Sequence, residues 1–224
     1  MAASDPIQAV MFDMDGTLLD SWDALLGAYH DATTRVLGAP APTKREDVDR
    51  LIQLSARDAF PLLAGGDPEL AERIREAFGE SYRSRSAQIK LYDGVPEMLR
   101  ELRGHGLRLG IATSKSRVRL DRDLDQTGIG DLLDATICGD EVPIAKPDPA
   151  PIVAIMAALG VEPGASLYVG DGANDVQAAH AAGVEAVGSG YGFHPRACRA
   201  AGPEHWIDTP LQLPDIVAAR VATG

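Results

Sequence analysis

The apolar positions of this chain follow two different periods. Ile7 to Met11 is an apolar run broken only by Gln8, and it leads through Phe12 into Asp13-Met14-Asp15-Gly16-Thr17. A run of that length bounded by a glycine turn predicts a buried parallel strand. From Ser21 to about Gln88 the period becomes helical. Leu25, Tyr29, Ala32 and Val36 recur at steps of four, three and four and form one apolar stripe. Asp67-Pro68-Glu69 offers an N-cap residue, a first-turn proline and an early acid, and Leu70, Ile74 and Phe78 follow on one face. Arg45 to Gln53 and Ala56 to Leu63 read as two shorter helices, and no strand is expected in this stretch.

After Tyr92-Asp93-Gly94 the two periods alternate. Helix Pro96 to Arg103 leads to strand Leu107 to Ala112, and helix Arg117 to Gln126 to strand Ala135 to Cys138. Helix Ala150 to Leu159, closed by Gly160, leads to strand Ser166 to Val169. Helix Asp175 to Ala182, closed by Gly183, leads to strand Glu185 to Gly188. A short strand near His205 to Ile207 precedes helix Leu211 to Ala219. Strands alternating with helices predict a parallel sheet with right-handed crossovers and helices on both faces. The expected fold is therefore α/β, a Rossmann-like core from residues 1–20 and 89–224 with an all-helical insert at 21–88.

Composition narrows the function. The chain has 224 residues, 45% hydrophobic and 24% charged, within the range of globular proteins that bury a sizeable core. A net charge of −12 argues against non-specific binding to nucleic acid or to an anionic membrane. It leaves a small phosphorylated substrate open, because a local cation can dominate a site. Cys138 and Cys198 have neither disulfide-framework nor metal-ligand spacing. Met1 to Pro6 lacks the basic-then-apolar pattern of a secretory leader, and no segment reaches the length of a membrane span. A cytoplasmic location is expected.

The chemistry gathers at strand ends. Asp13 and Asp15 alternate, which in a strand places both on one face at its C-terminal end, where open α/β sheets bind ligands. Carboxylates that close repel unless a cation or a shared proton compensates. Thr113-Ser114-Lys115 follows the strand ending at Ala112; its hydroxyls and N–H groups suit an anion, or merely cap the next helix. Lys146, stiffened by Pro147 and Pro149, either holds a phosphate among carboxylates or is solvated surface. Gly170-Asp171-Gly172-Ala173-Asn174-Asp175 supplies two more acids at a strand-to-helix turn. Oxygen donors from several strand ends, without a Cys or His cluster, favour Mg²⁺ over zinc. The five histidines are scattered without ligand spacing. Gly188-Ser189-Gly190-Tyr191-Gly192 departs from dinucleotide spacing and reads as a loop at the edge of the site.

Taken in order, Asp13-Met14-Asp15-Gly16-Thr17, Thr113, Lys146 and Gly170-Asp171 through Asp175 resemble the motifs of the haloacid dehalogenase-like hydrolase superfamily. The segment Asp13 to Ser21 is most similar to phosphoglycolate phosphatase and its relatives, and the helical insert is similar to the superfamily's cap. The resemblance implies Asp13 as nucleophile and Asp15 as the acid and base. It implies Mg²⁺ held by Asp13, Asp171 and the Asp15 carbonyl, with Thr113, Ser114 and Lys146 on the phosphoryl oxygens. Asp175 would orient Lys146 or a metal-bound water. Arg57 resembles a cap arginine that reaches substrate in phosphoglucomutase-like relatives, and is equally readable as a solvated helix start; Arg83 and Arg85 read as a solvated face.

The implied activity is Mg²⁺-dependent hydrolysis of a small phosphorylated metabolite, 2-phosphoglycolate first, through an aspartyl phosphate, by a monomer or homodimer. A β-phosphoglucomutase-like mutase, a pyrophosphatase and a non-catalytic phosphometabolite-binding protein are the alternatives. Dehalogenation is disfavoured because that branch does not keep the second aspartate, and an NAD fold because the first strand ends in acids.

Overall fold

The strands occur in chain order as β1 (Ala9–Phe12), β2 (Leu19–Asp20), β3 (Lys90–Leu91), β4 (Arg108–Ala112), β5 (Ala135–Ile137), β6 (Ser166–Gly170), β7 (Glu185–Ser189) and β8 (His205–Ile207). The computed structural model describes residues 6–40 and 44–221; the reading of Met1 to Pro6 as lacking a leader thus falls, but for Pro6, outside the described residues. Six strands form a parallel sheet in the order β5-β4-β1-β6-β7-β8. Leaving β1, the chain builds outward through β4 to β5; leaving β6, it builds the other way through β7 to β8. The sheet therefore has its topological switch point between β1 and β6, where α/β folds open a crevice at the strands' carboxyl ends.

The helices are α1 (Trp22–Leu37), α2 (Arg45–Ile52), α3 (Ala56–Leu63), α4 (Pro68–Ser84), α5 (Val95–Gly104), α6 (Arg117–Thr127), α7 (Ala150–Leu159), α8 (Ala173–Ala181), α9 (Pro195–Ala200) and α10 (Leu213–Val221). Alternation along β1 sends Ala9 and Met11 into a core with Ile152, Ile155, Leu159, Tyr168, Val176 and Ala179, so α7 and α8 cover that face. Val10 and Phe12, equally buried, point to the opposite face. On β4 packs α5, through its buried row Val95, Met98, Leu99 and Leu102, with α10 against it.

The sheet begins later than the apolar run suggests, at Ala9 rather than Ile7, and continues to Phe12. Three features escape the sequence pattern. The pair β2 and β3 is only two residues per strand, α9 is a single short helix behind Pro195, and the last helix begins as a 3₁₀ turn over Pro210–Gln212. Elements this short carry too few residues to show a period.

By contact the chain divides into two compact units, Met1–Asp20 with Leu91–Gly224, and Ser21–Lys90. Among the described residues of Ser21–Lys90, every regular element up to Gln88 is helical. Its core is aromatic: Tyr29 of α1 and Phe60 of α3 meet Phe78 of α4 at centroid distances of 4.6 and 5.4 Å, and Phe78 stacks on Tyr82 at 5.7 Å. Arg85 is not the solvated residue its neighbours suggest. Its guanidinium lies 2.7 Å from Asp31 and presses against Gly27, where any larger side chain would displace it; Arg83 remains exposed.

The start of α4 is held by Asp67, whose carboxylate accepts from the N–H groups of Glu69 (2.9 Å) and Leu70 (3.1 Å). Asp67→Ala should lower the stability of the helical unit by about 1 kcal/mol, measured by urea unfolding.

Candidate active site

The first acid is set by the sheet itself. Phe12 lies opposite Ile111 and Val169, so Asp13, one residue on, emerges level with the last residues of β4 and β6. Its N–H still donates to Val169 O at 2.9 Å, which fixes the start of its side chain. Beyond it the chain reverses, with Gly16 N–H donating to Leu19 O (2.8 Å) and Leu18 N–H to Met14 O (2.9 Å). Gly16 has φ 82°, and a Cβ there would overlap the Asp171 carboxylate. Only glycine meets both demands, so this turn and the end of β6 can lie side by side.

Three carboxylates converge across the switch point. One oxygen each from Asp13, Asp171 and Asp175 lie within 4.8 Å of one another, and all three residues are buried. Lys146, also buried, stands among them: its Nζ donates to Asp13 Oδ1 at 2.8 Å, to Asp175 Oδ1 at 2.6 Å and to the Tyr168 hydroxyl at 2.9 Å. Tyr168 in turn donates to Ala112 O at 2.6 Å, tying the lysine to the end of β4. Asp175 Oδ2 accepts from Gly172 N–H at 3.0 Å, so both of its oxygens have protein donors. Asp171 Oδ2 accepts from Phe193 N–H at 2.7 Å, and Gly192 packs too closely on Asp171 and Gly16 to carry a side chain. The loop after β7, which includes Tyr191 donating to Thr17 O at 3.1 Å, is thus the wall that holds Asp171.

The electrostatics follow from burial. Desolvation pushes the Asp13 carboxyl up to about 6; Lys146 opposes this, while Asp175 and Asp15 add to it. Burial, then Asp175 and Asp13, push Asp171 well above the usual carboxylate range against the Phe193 N–H and Lys146. For Lys146 burial disfavours the ammonium, but Asp13 and Asp175 outweigh it and raise its pKa well above that of an ordinary lysine. With all three carboxylates ionised, one ammonium would leave two negative charges in a nearly dry cluster, the state that burial resists. A divalent cation matches that deficit, and an all-oxygen donor set suits a hard ion. The residues present fit a metal of this kind. Asp13 and Asp171 are the better donors, since Asp175 already holds Lys146 and Gly172.

Asp15 shares the end of β1 but not that cluster: its Oδ1 lies 2.9 Å from Nζ of Lys115. Thr113 follows β4, buried, with its N–H donating to Ile137 O at 3.0 Å and its Oγ1 accepting from Lys115 N–H at 3.3 Å; Ser114 is half-buried beside it. Arg57 lies in the first turn of α3, exposed, in the other unit. Lys115, Asp123, the Tyr168 hydroxyl and the Phe193 backbone N–H also take part, and no sequence period singles them out. Asp123 does leave a trace, since it falls on the buried face of α6 three residues after Leu120.

The model of the haloacid dehalogenase-like hydrolase family matches residues 10–189. The chain belongs to that family. A phosphoglycolate phosphatase of Pseudomonas putida is 40% identical over 210 residues, covering 89% of this chain and 75% of the relative. An N-acetylmuramic acid 6-phosphate phosphatase of Pseudomonas aeruginosa is 30% identical over 221 residues, covering 94% and 95%. A crystal structure from Lactobacillus plantarum, provisionally assigned as a phosphoglycolate phosphatase, superposes with a TM-score of 0.83 at 27% identity, covering 95% of this chain and all of that one. The chain is therefore a haloacid dehalogenase-like phosphatase of the phosphoglycolate phosphatase-like branch. Among the described residues no helix is long and apolar enough to cross a membrane.

The buried acids predict a pH-dependent metal effect on stability. A carboxyl raised from 3.8 to about 6 by folding favours the folded state below 3.8, and that contribution is lost as pH rises through about 6. Metal-free protein should lose stability over this interval, and a divalent cation such as Mg²⁺, which the ionised cluster would bind, should restore it. Thermal unfolding in EDTA and in Mg²⁺ at pH 5 and pH 8 should show the larger rise in Tm at pH 8. Equal shifts at both pH values would contradict a metal held by these carboxylates.

Proposed function

We propose that this phosphatase hydrolyses a small phosphorylated metabolite, 2-phosphoglycolate first among candidates, by transferring the phosphoryl group to Asp13. The observation that carries the reading is the Asp13–Lys146–Asp175 bridge, because it holds a buried carboxylate at the mouth of the switch point beside a fixed positive charge. The Asp13 carboxylate attacks phosphorus as the bond to the leaving oxygen breaks. The electron pair of that bond stays with the oxygen, which takes a proton from Asp15. Asp15, now a base, removes a proton from water, and the hydroxide displaces Asp13 from the aspartyl phosphate, releasing phosphate. Thr113, Ser114 and Lys146 stabilise the oxygens of the phosphoryl group in both transfers. A divalent cation held by Asp13, Asp171 and the Asp15 carbonyl, Mg²⁺ by the donor chemistry, would neutralise the substrate's charge and polarise the phosphoryl group. Asp175 acts through Lys146, whose ammonium it orients.

The similarity to the Pseudomonas aeruginosa enzyme, which extends along 95% of its length, supports a sugar phosphate as the second candidate. We assign substrate choice to the helical unit Ser21–Lys90, which contains the expected cap at 21–88, with Arg57 pairing an anionic or polar group of the substrate.

Phosphate release should be measured with Mg²⁺ and with EDTA on 2-phosphoglycolate, N-acetylmuramic acid 6-phosphate, hexose phosphates, nucleotides, pyrophosphate and p-nitrophenyl phosphate. Chelator-sensitive release, strongest on one compound, is expected; no release from any of them by folded protein would overturn the reading. Asp13→Asn should lower kcat by at least about 1,000-fold with an unchanged circular dichroism spectrum. Arg57→Ala should raise KM for the preferred substrate and change the ranking of the panel; a small uniform loss would remove Arg57 from the site.

A further inference from the structure

Lys115 belongs to none of the roles above, yet it is among the most constrained residues in the molecule. Its side chain is 0% exposed, a state that lysine adopts only when paired. Nζ lies 2.9 Å from Asp15 Oδ1 and bonds still more closely to Asp123 Oδ2. Asp123 is itself fully buried, at the core position of α6 that follows Leu120. The main chain of Lys115 is held as well. Its N–H donates to Thr113 Oγ1 at 3.3 Å, and its carbonyl accepts from Gly139 N–H at 2.9 Å.

We propose that Lys115 is a positioning residue for Asp15, and that Asp123 holds Lys115 in place. The proposal rests on the reading of Asp15 as the group that protonates the leaving oxygen. An aspartate at a strand end can occupy several staggered rotamers, of which few bring its carboxyl to a given atom. A rigid ammonium anchored on α6 selects one of them. Because Lys115 and Asp123 are together neutral, they orient Asp15 by a directed hydrogen bond without adding net charge beside it. The same lysine links Thr113, on the phosphoryl side, to Asp15, on the leaving-group side, so one short segment after β4 sets the spacing of both. Misplacing a catalytic group by about 1 Å costs roughly 100-fold in rate, so this bracing belongs to catalysis as well as to the core.

The leaving group separates positioning from simple packing. An alkoxide needs the proton that Asp15 supplies, whereas p-nitrophenolate departs without it. The test compares kcat/KM, which reports steps through transfer to Asp13, on p-nitrophenyl phosphate and on 2-phosphoglycolate, or on N-acetylmuramic acid 6-phosphate if that is the alkyl phosphate turned over. Lys115→Met should lose about 100-fold on the alkyl phosphate and less than about tenfold on the aryl one. Asp123→Asn, remote from the reacting atoms, should show the same asymmetry to a smaller degree. Removing one partner of a buried pair can unfold the chain, so Lys115→Met/Asp123→Leu, which removes both charges, serves as the folded control and should keep the asymmetry. Equal losses on the two esters, or no loss in the double variant, would overturn the proposal while leaving the phosphatase reading intact. Failure of the wild type to release phosphate from either ester would overturn that reading, and this inference with it.

Discussion

Concentrated negative charge, taken largely out of water at the carboxyl edge of a parallel sheet, is the constraint on which this protein's architecture depends. Asp13, Asp171 and Asp175 would repel one another strongly with no compensation. Lys146 supplies part of it, and Tyr168 fixes Lys146 by tying it to the carbonyl of Ala112. Gly16 is small because the Asp171 carboxylate occupies the space a side chain would need, and Gly192 because the Asp171 side chain and the Gly16 carbonyl do. The loop after β7 spends a backbone N–H on that carboxylate. A second ammonium, Lys115, does for Asp15 what Lys146 does for Asp13. Two lysines thus divide the acids into a cluster suited to a metal and a phosphoryl group, and a separate arm suited to proton transfer.

Much of this was legible in the chain because the signals are local. The run into Phe12, the N-cap of α4, and the glycine closures of α7 and α8 each express a period or a terminus within a few residues. The ends of strands β1, β4 and β6 could be read as chemistry because acids or hydroxyls directly follow apolar runs. What could not be read depends on three-dimensional neighbours. Lys115 and Asp123 are eight positions apart on different elements; the place of Asp123 on the Leu120 face of α6 hints at burial, but nothing local names its partner. Tyr168 looks like any other residue of a buried strand until its hydroxyl is seen between Lys146 and Ala112. Arg85 reads as surface because the glycine that admits it, Gly27, lies on another helix. Strands β2 and β3 are too short to show alternation.

The relatives divide along the same line. The acids and lysine at the strand ends suit any phosphate ester, and the phosphatases this chain resembles act on a two-carbon acid in one case and on an amino sugar acid in another. Chemistry of that generality cannot specify the leaving group. The helical unit has an aromatic core of its own in Tyr29, Phe60, Phe78 and Tyr82, separate from the core of the sheet. Specificity that resides there would change without disturbing the carboxylates.

The central claim is that Asp13 receives the phosphoryl group. Rapid-quench of the enzyme with a ³²P-labelled substrate, followed by digestion and mapping of the labelled peptide, tests it directly. Transient label, stable in acid and released by hydroxylamine as an acyl phosphate must be, is expected on the peptide that contains Asp13. Turnover with no labelled enzyme at any time point, or label on Ser114 or another residue, would contradict it.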